Sequence, residues 1–400
     1  MTRRQLISLV AVGAVGVVPS AGLAFATWIR YANGLLTLNG HMLVVRDYLW
    51  LWGAGHLLQV GDVHTIFNPV GFATWLRGVY GAQLDDFVWS YPPSMLFLAL
   101  PTGHASLLSG FALFITLQMA LLWCVGRFAG VSRGVLIAAL ISPAAIENAL
   151  AGQNGAMTSA LLVGGLLLAG RQSILSGVLL GLLTVKPQLG LVTPFCLLAS
   201  RDWKALAAAI CTSVGLFVLS GIAFGFESWA MFWNNVRPFM TGIMEADWHG
   251  LYYQRLMVSP FMAARSYGLG LTGSYALQLT ITFAAIAAAW MLWRRPTIAV
   301  NTRTAVTVCL SIMASPYVYI YDTVCVAIAV AILATSVPRV ESSNGALFVL
   351  AWMWPGLAIW ASIIGLQPLG FVLIAALSWL GFRYLHAPSA ALVPGSGRRP

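Results

Sequence analysis

Apolar residues arrive in this chain as long runs broken by short polar or proline-containing stretches. A helix needs about 20 apolar residues to cross a bilayer. Runs of about that length fall at 6–29, 104–126, 205–226, 275–293, 346–364 and 368–385. Shorter runs fall at 134–150, 156–170, 174–185, 187–199, 304–315 and 320–335. The short runs form three pairs, broken by SPAAIENALAGQNG (142–155), TVKPQ (184–188) and SPYVYIYD (315–322).

Counting each pair as up and back predicts an all-α, polytopic membrane protein with about twelve membrane segments, some of them short paired broken helices. One membrane domain, 1–385, would precede a disordered cytoplasmic tail, 386–400. Two long segments, about 30–103 and 227–273, would lie on the outer side. The first exceeds an ordinary connection, and amphipathic helices lying at the membrane interface would suit it.

Composition agrees. The chain has 400 residues, 60% of them hydrophobic and 8% charged, with a mean hydropathy of +0.85. A soluble chain keeps roughly a quarter of its residues charged, so most of this exterior must face lipid. The net charge of +10 does not point to nucleic acid, because the bases are scattered rather than lined along one face. Cys124, Cys196, Cys211, Cys309 and Cys325 lie in apolar runs without CxxC spacing and read as small hydrophobes. Pro19–Ala24 imitates the end of a signal peptide, but the run stays apolar to Ile29, which favours a retained helix.

Cytoplasmic loops are enriched in Lys and Arg. With the N-terminus inside, cytoplasmic ends carry a balance of +12, with Asp202 and Glu341 their acids, and outer segments carry −2. Under this topology the unusual polar residues meet the outer side: Asp47, Glu147-Asn148, Gln153-Asn154, Lys186 and Gln188, Asp247-Trp248-His249, and Tyr317 through Asp322. Ionisable groups at membrane depth are costly and are paired or functional, and helices broken there line polar cavities.

Asp47 follows a helix exit and precedes an aromatic run, which would hold its carboxylate against an apolar wall and make it a better base. The alternatives are a helix N-cap or a pair with Arg46. Lys186, before Pro187, would meet a phosphate as a point charge; the alternative is a bundle-holding pair with Glu147 or Asp322. His249 would donate to a phosphate or sugar oxygen, or serve as an ordinary loop histidine. Tyr317, Tyr319, Tyr321 and Asp322 suit a sugar platform, and an interfacial aromatic belt explains the tyrosines as well. Asp85-Asp86 lacks the nearby His or third acid of a metal site and reads as solvated loop. WSYPPS (89–94) is stiffened by its prolines and by itself carries no chemistry.

Six pieces together carry a family resemblance: Arg46-Asp47-Tyr48, Phe67-Asn68-Pro69, FVWSYPP (87–93), Gly152-Gln153-Asn154-Gly155, GLLTVKPQLG (181–190) and SPYVYIYD (315–322). In these the chain resembles the bacterial family-87 glycosyltransferases of the GT-C superfamily, over about 40–330. The resemblance implies an inverting hexosyltransferase that moves mannose from a polyprenyl-phosphate donor to a glycolipid, lipoglycan or protein acceptor, on the outer side of the plasma membrane. It implies Asp47 as the catalytic base and Lys186 on the donor phosphate, with Gln153, Asn154, Gln188, His249, Tyr317 and Asp322 as further substrate contacts. Many relatives carry histidine where this chain has Tyr317. Membrane lipids are the implied surroundings. No cofactor is implied beyond the lipid-linked donor, and metal dependence is left open. The rival reading is a transporter or flippase for a lipid-linked sugar, since broken helices with midplane polar groups also build transport sites.

Overall fold

The computed structural model describes residues 37–38, 42–43, 47–80, 88–336 and 342–385. The predicted first helix 6–29, Arg46, the Asp85-Asp86 pair and the tail 386–400 lie outside these. The described chain is helical apart from one two-residue antiparallel pair, Thr37–Leu38 with Met42–Leu43.

Among the described residues, four helices are long and apolar enough to cross a membrane: Leu107–Phe128, Trp203–Phe224, Leu271–Trp293 and Asn344–Ile363. A fifth candidate is the pair Arg133–Leu140 and Pro143–Ala151, bent by 51°. The bend follows from Ser142-Pro143: the serine hydroxyl caps the second helix by accepting from Ala145 N–H, and proline fits the first helical turn because it has no N–H to leave unpaired.

The remaining apolar pieces are shorter: Gly155–Leu168, Ser173–Val185, Pro187–Ala199, Val300–Ala314, Ile320–Ser336 and Leu369–Arg383. At 1.5 Å per residue, a 14-residue helix such as Gly155–Leu168 covers about 21 Å, less than the roughly 30 Å of a hydrocarbon core. The described residues thus establish a polytopic helical protein with four or five candidate spans.

Long and short helices occupy different places. Only 17% of the most apolar stretch of Leu107–Phe128 or Trp203–Phe224 is buried, whereas every residue of Gly155–Leu168 is buried. Leucines 108, 113, 117 and 121, and Ile210, Val214, Phe217 and Ile222, all point outward. An apolar exterior of this extent is a lipid-facing surface. The short helices form the interior, with Val300–Ala314 and Val324–Ser336 packed on each other and on Gly155–Leu168.

Broken helices end inside the protein, so their last carbonyls need partners. At the end of Val300–Ala314, Gln278 Nε2 donates to the Met313 carbonyl at 3.1 Å and Thr282 Oγ1 to the Ala314 carbonyl at 2.7 Å. Both donors stand on the long helix Leu271–Trp293. At the opposite end of the bundle, Asp202 caps Trp203–Phe224 and also accepts from Gly170 N–H and Ser173 Oγ.

Within the segment 30–103, the first described helix packs on its neighbours. Helix Tyr48–Gln59 buries most of its faces against Leu96–His104. Backbones meet there: a Cβ on Gly55 would run into the Ala99 carbonyl, and one on Gly103 into the Gly55 carbonyl. Gly55→Val is expected to lower stability by about 1–3 kcal/mol through overpacking. A lower melting midpoint of the detergent-solubilised protein is the measurement that checks it.

Candidate active site

Asp47 stands at the N-terminus of Tyr48–Gln59, but its side chain makes no cap hydrogen bond to that helix. Its backbone N–H donates to the Ala151 carbonyl at 2.9 Å, which ties it to the bend before Gly152. Its carboxylate Oδ2 accepts from Gln153 Nε2 at 2.7 Å. Only 7% of the residue is exposed.

The Gly152-Gln153-Asn154-Gly155 turn explains its own composition. Gly152 ends Pro143–Ala151 at φ +73°, a left-handed conformation that glycine adopts without strain. A side chain there would also strike Tyr48, and one at Gly155 would strike the Tyr321 backbone. Between the glycines, Gln153 faces Asp47 and Asn154 faces Lys186.

A buried amide chain braces the turn from behind. Gln118 Nε2 donates to the Gln153 carbonyl at 2.8 Å, and Gln118 Oε1 accepts from Asn148 Nδ2 at 3.2 Å. Asn148 Oδ1 in turn accepts from Gly155 N–H. Gln118 comes from the lipid-facing helix Leu107–Phe128 and is 3% exposed. Nothing singled it out in the sequence beyond being polar inside an apolar span.

Lys186 sits between two 3-10 turns, Leu183–Val185 and Pro187–Gly190. A proline disfavours the helical region for the residue before it, and Lys186, at φ −141° and ψ 68°, ends the preceding helix. Its ammonium donates to Asp322 Oδ1 at 2.5 Å and to Asn154 Oδ1 at 3.3 Å. The partner is therefore Asp322, and both residues are buried, at 5% and 0% exposure. Asp322 Oδ2 also accepts from Tyr319 N–H. Two of lysine's three donors are spent in this way. The ammonium lies 5.3 Å from the Tyr321 ring centroid, and Tyr321 stacks on Tyr319.

A cavity of about 620 Å³ opens between these groups, lined by Asp47, Trp50, Ser90, Tyr91, Gln153, Lys186, Gln188, Tyr317, Tyr319 and Tyr321. The segment 227–273 adds a mostly apolar wall to it: Phe232, Phe239, Met240, Ile243, Leu251 and Leu256, with Tyr253. That wall is fixed to the tyrosine run by an antiparallel bridge, in which Val258 N–H donates to the Val318 carbonyl and Ile320 N–H to the Leu256 carbonyl.

The structure thus gathers Asp47, Gln153, Lys186, Gln188 and Tyr317 on one cavity, with Asn154 and Asp322 directly behind Lys186. It does not bring His249 there: that residue is exposed in the loop before Tyr252–Arg255 and is not part of the lining. Its neighbour Asp247 pairs with Arg265 at 2.9 Å. Glu147 is likewise off the lining. The sequence reading of Tyr91 as part of an inert proline turn needs correcting, because its hydroxyl donates to Gln153 Oε1 at 2.9 Å. Burial pushes the Tyr91 phenol well above its usual pKa, and the charges of Asp322 and Asp47 push it further, so it stays a neutral donor. Among the described residues no three His, Cys, Asp or Glu side chains gather as a metal site.

Removing one partner of a buried ion pair strands the other charge, a loss of about 3–5 kcal/mol. Asp322→Asn is therefore expected to lower yield and melting midpoint sharply, and Lys186→Met added to it to restore much of both. Thermal melts of the single and double variants in detergent check this.

Comparison with known families matches residues 89–316, more than half of the chain, to glycosyltransferase family 87. Asp47 precedes the matched stretch and joins it through Ala151 and Gln153. No curated protein and no solved structure matches. With the family matched across the turn that holds Asp47, the lysine break and the segment 227–273, the chain belongs to glycosyltransferase family 87 and is a membrane glycosyltransferase.

Proposed function

We propose that this enzyme transfers a hexose, mannose being the first candidate, from a polyprenyl-phosphate donor to an envelope glycan or glycolipid, with inversion at the sugar carbon. The site would face the outer side of the plasma membrane, in a GT-C-type bundle of about twelve membrane segments. One observation carries the reading: a carboxylate at Asp47 and an ammonium at Lys186 line the same cavity as the apolar side chains of Phe232, Phe239 and Met240.

The chemistry divides between those two groups. Asp47 accepts the proton of the acceptor hydroxyl as its oxygen bonds to the sugar C1. The C1–phosphate bond breaks, its electrons go to the phosphate oxygen, and Lys186 stabilises the charge that develops there. Phosphate is already a good leaving group, so no separate acid is required. Gln188 and the tyrosine hydroxyls are placed to hold sugar hydroxyls, and the apolar wall suits a prenyl chain.

Asp47→Asn should lower transfer from labelled polyprenyl-phosphate mannose by at least about a hundredfold, the scale of a lost general base, with yield and melting midpoint close to wild type. An Asp47→Asn enzyme of normal activity would end this reading. Orientation has its own test. An epitope placed at the Asp85-Asp86 loop should be labelled from outside intact cells, and one near Arg201 should not.

A further inference from the structure

We propose that Gln153 is a positioning residue for Asp47, and that Tyr91 sets the orientation of its amide. This inference rests on the reading of Asp47 as the base. An ionised carboxylate only accepts hydrogen bonds, so the Gln153 NH2 group must face Asp47 Oδ2, as it does at 2.7 Å. The amide oxygen then faces Tyr91, whose hydroxyl donates to it at 2.9 Å.

The reverse rotation would set the amide oxygen against the carboxylate and the amide hydrogens against the phenol. Tyr91 therefore discriminates between two amide orientations that differ little in shape. The backbone of Gln153 is already fixed by Gln118, so the side chain is not needed to form the turn. Both Gln153 and Tyr91 line the cavity beside Asp47, where packing alone would not call for polar groups. Together they hold one carboxylate oxygen in place for its part in the reaction, which is how a base gains rate from fixed geometry.

The test uses full-length enzyme in detergent, with labelled polyprenyl-phosphate mannose and a membrane-lipid extract as the acceptor pool. Tyr91→Phe keeps the ring and removes one hydrogen bond. Its apparent kcat should fall about five- to tenfold, the size of one such bond, with the donor KM within about twofold of wild type.

Gln153→Glu keeps the shape but sets a second carboxyl beside Asp47. Two adjacent carboxyls share a proton, so the acid limb of the kcat profile should move to higher pH. Among the described residues, the other titratable groups around Asp47, which are Tyr91, Lys186, Tyr253, Tyr317, Tyr319, Tyr321 and Asp322, are unchanged by that substitution. Any carboxyl this close to Asp47 would move that limb, so the shift reports that position 153 adjoins the base. The fall in kcat at unchanged KM in Tyr91→Phe is what a merely structural glutamine would not give. If Asp47→Asn is inactive while Tyr91→Phe keeps wild-type kcat, this inference falls alone. If Asp47→Asn stays active, the base itself is lost and the inference with it.

Discussion

A lysine and an aspartate buried against each other constrain where the helix breaks of this architecture can lie. Neither charge tolerates burial alone, since each loses several kcal/mol of hydration that only the other and their shared hydrogen bonds can offset. Lys186 lies in one helix break and Asp322 in a second, while Asn154, which also accepts from the lysine, lies in a third. The pair therefore requires three interrupted helices to end at one place. Interrupted helices expose backbone groups that lipid cannot satisfy, so they are enclosed by the long helices, and Gln278 and Thr282 project from one of these to meet the freed carbonyls.

That requirement explains the division between long and short helices. Lipid-facing helices need length and little else, and they carry their leucines and phenylalanines outward. The inner helices stop where a side chain has to turn toward the cavity. Asp47 reaches the same place from outside the bundle, through its backbone bond to Ala151 and its carboxylate bond to Gln153.

Much of this was legible in the sequence, because apolar runs and their breaks are local properties. The run 205–226 appears as Trp203–Phe224 and the run 320–335 as Ile320–Ser336. Hydropathy alone does not say whether a run faces lipid or protein. Gly155–Leu168 and Trp203–Phe224 are similarly apolar yet oppositely exposed, so the number of crossings did not follow. Convergence of Asp47, Lys186 and the tyrosines was readable from their rarity. The choice of Asp322 over Glu147 as lysine partner was not, since it depends on how distant breaks pack. Tyr91 was concealed by its prolines, which explain a rigid turn without any hydrogen bond. The cavity's apolar wall was concealed because a helix such as Arg237–Glu245 has the pattern of one lying on a membrane surface.

The charge left over in the cavity bears on the donor. Among the described residues lining it, Lys186 is the one Lys or Arg, and Asp322 already neutralises it. A sugar phosphodiester on a lipid carries a single negative charge. One shared ammonium and a set of neutral phenols are matched to that charge, and Asp47 would repel a larger one. The apolar wall supports the proposed donor by a second route, because a ligand with one anionic centre beside a long hydrocarbon would use both the charged and the apolar lining of the cavity.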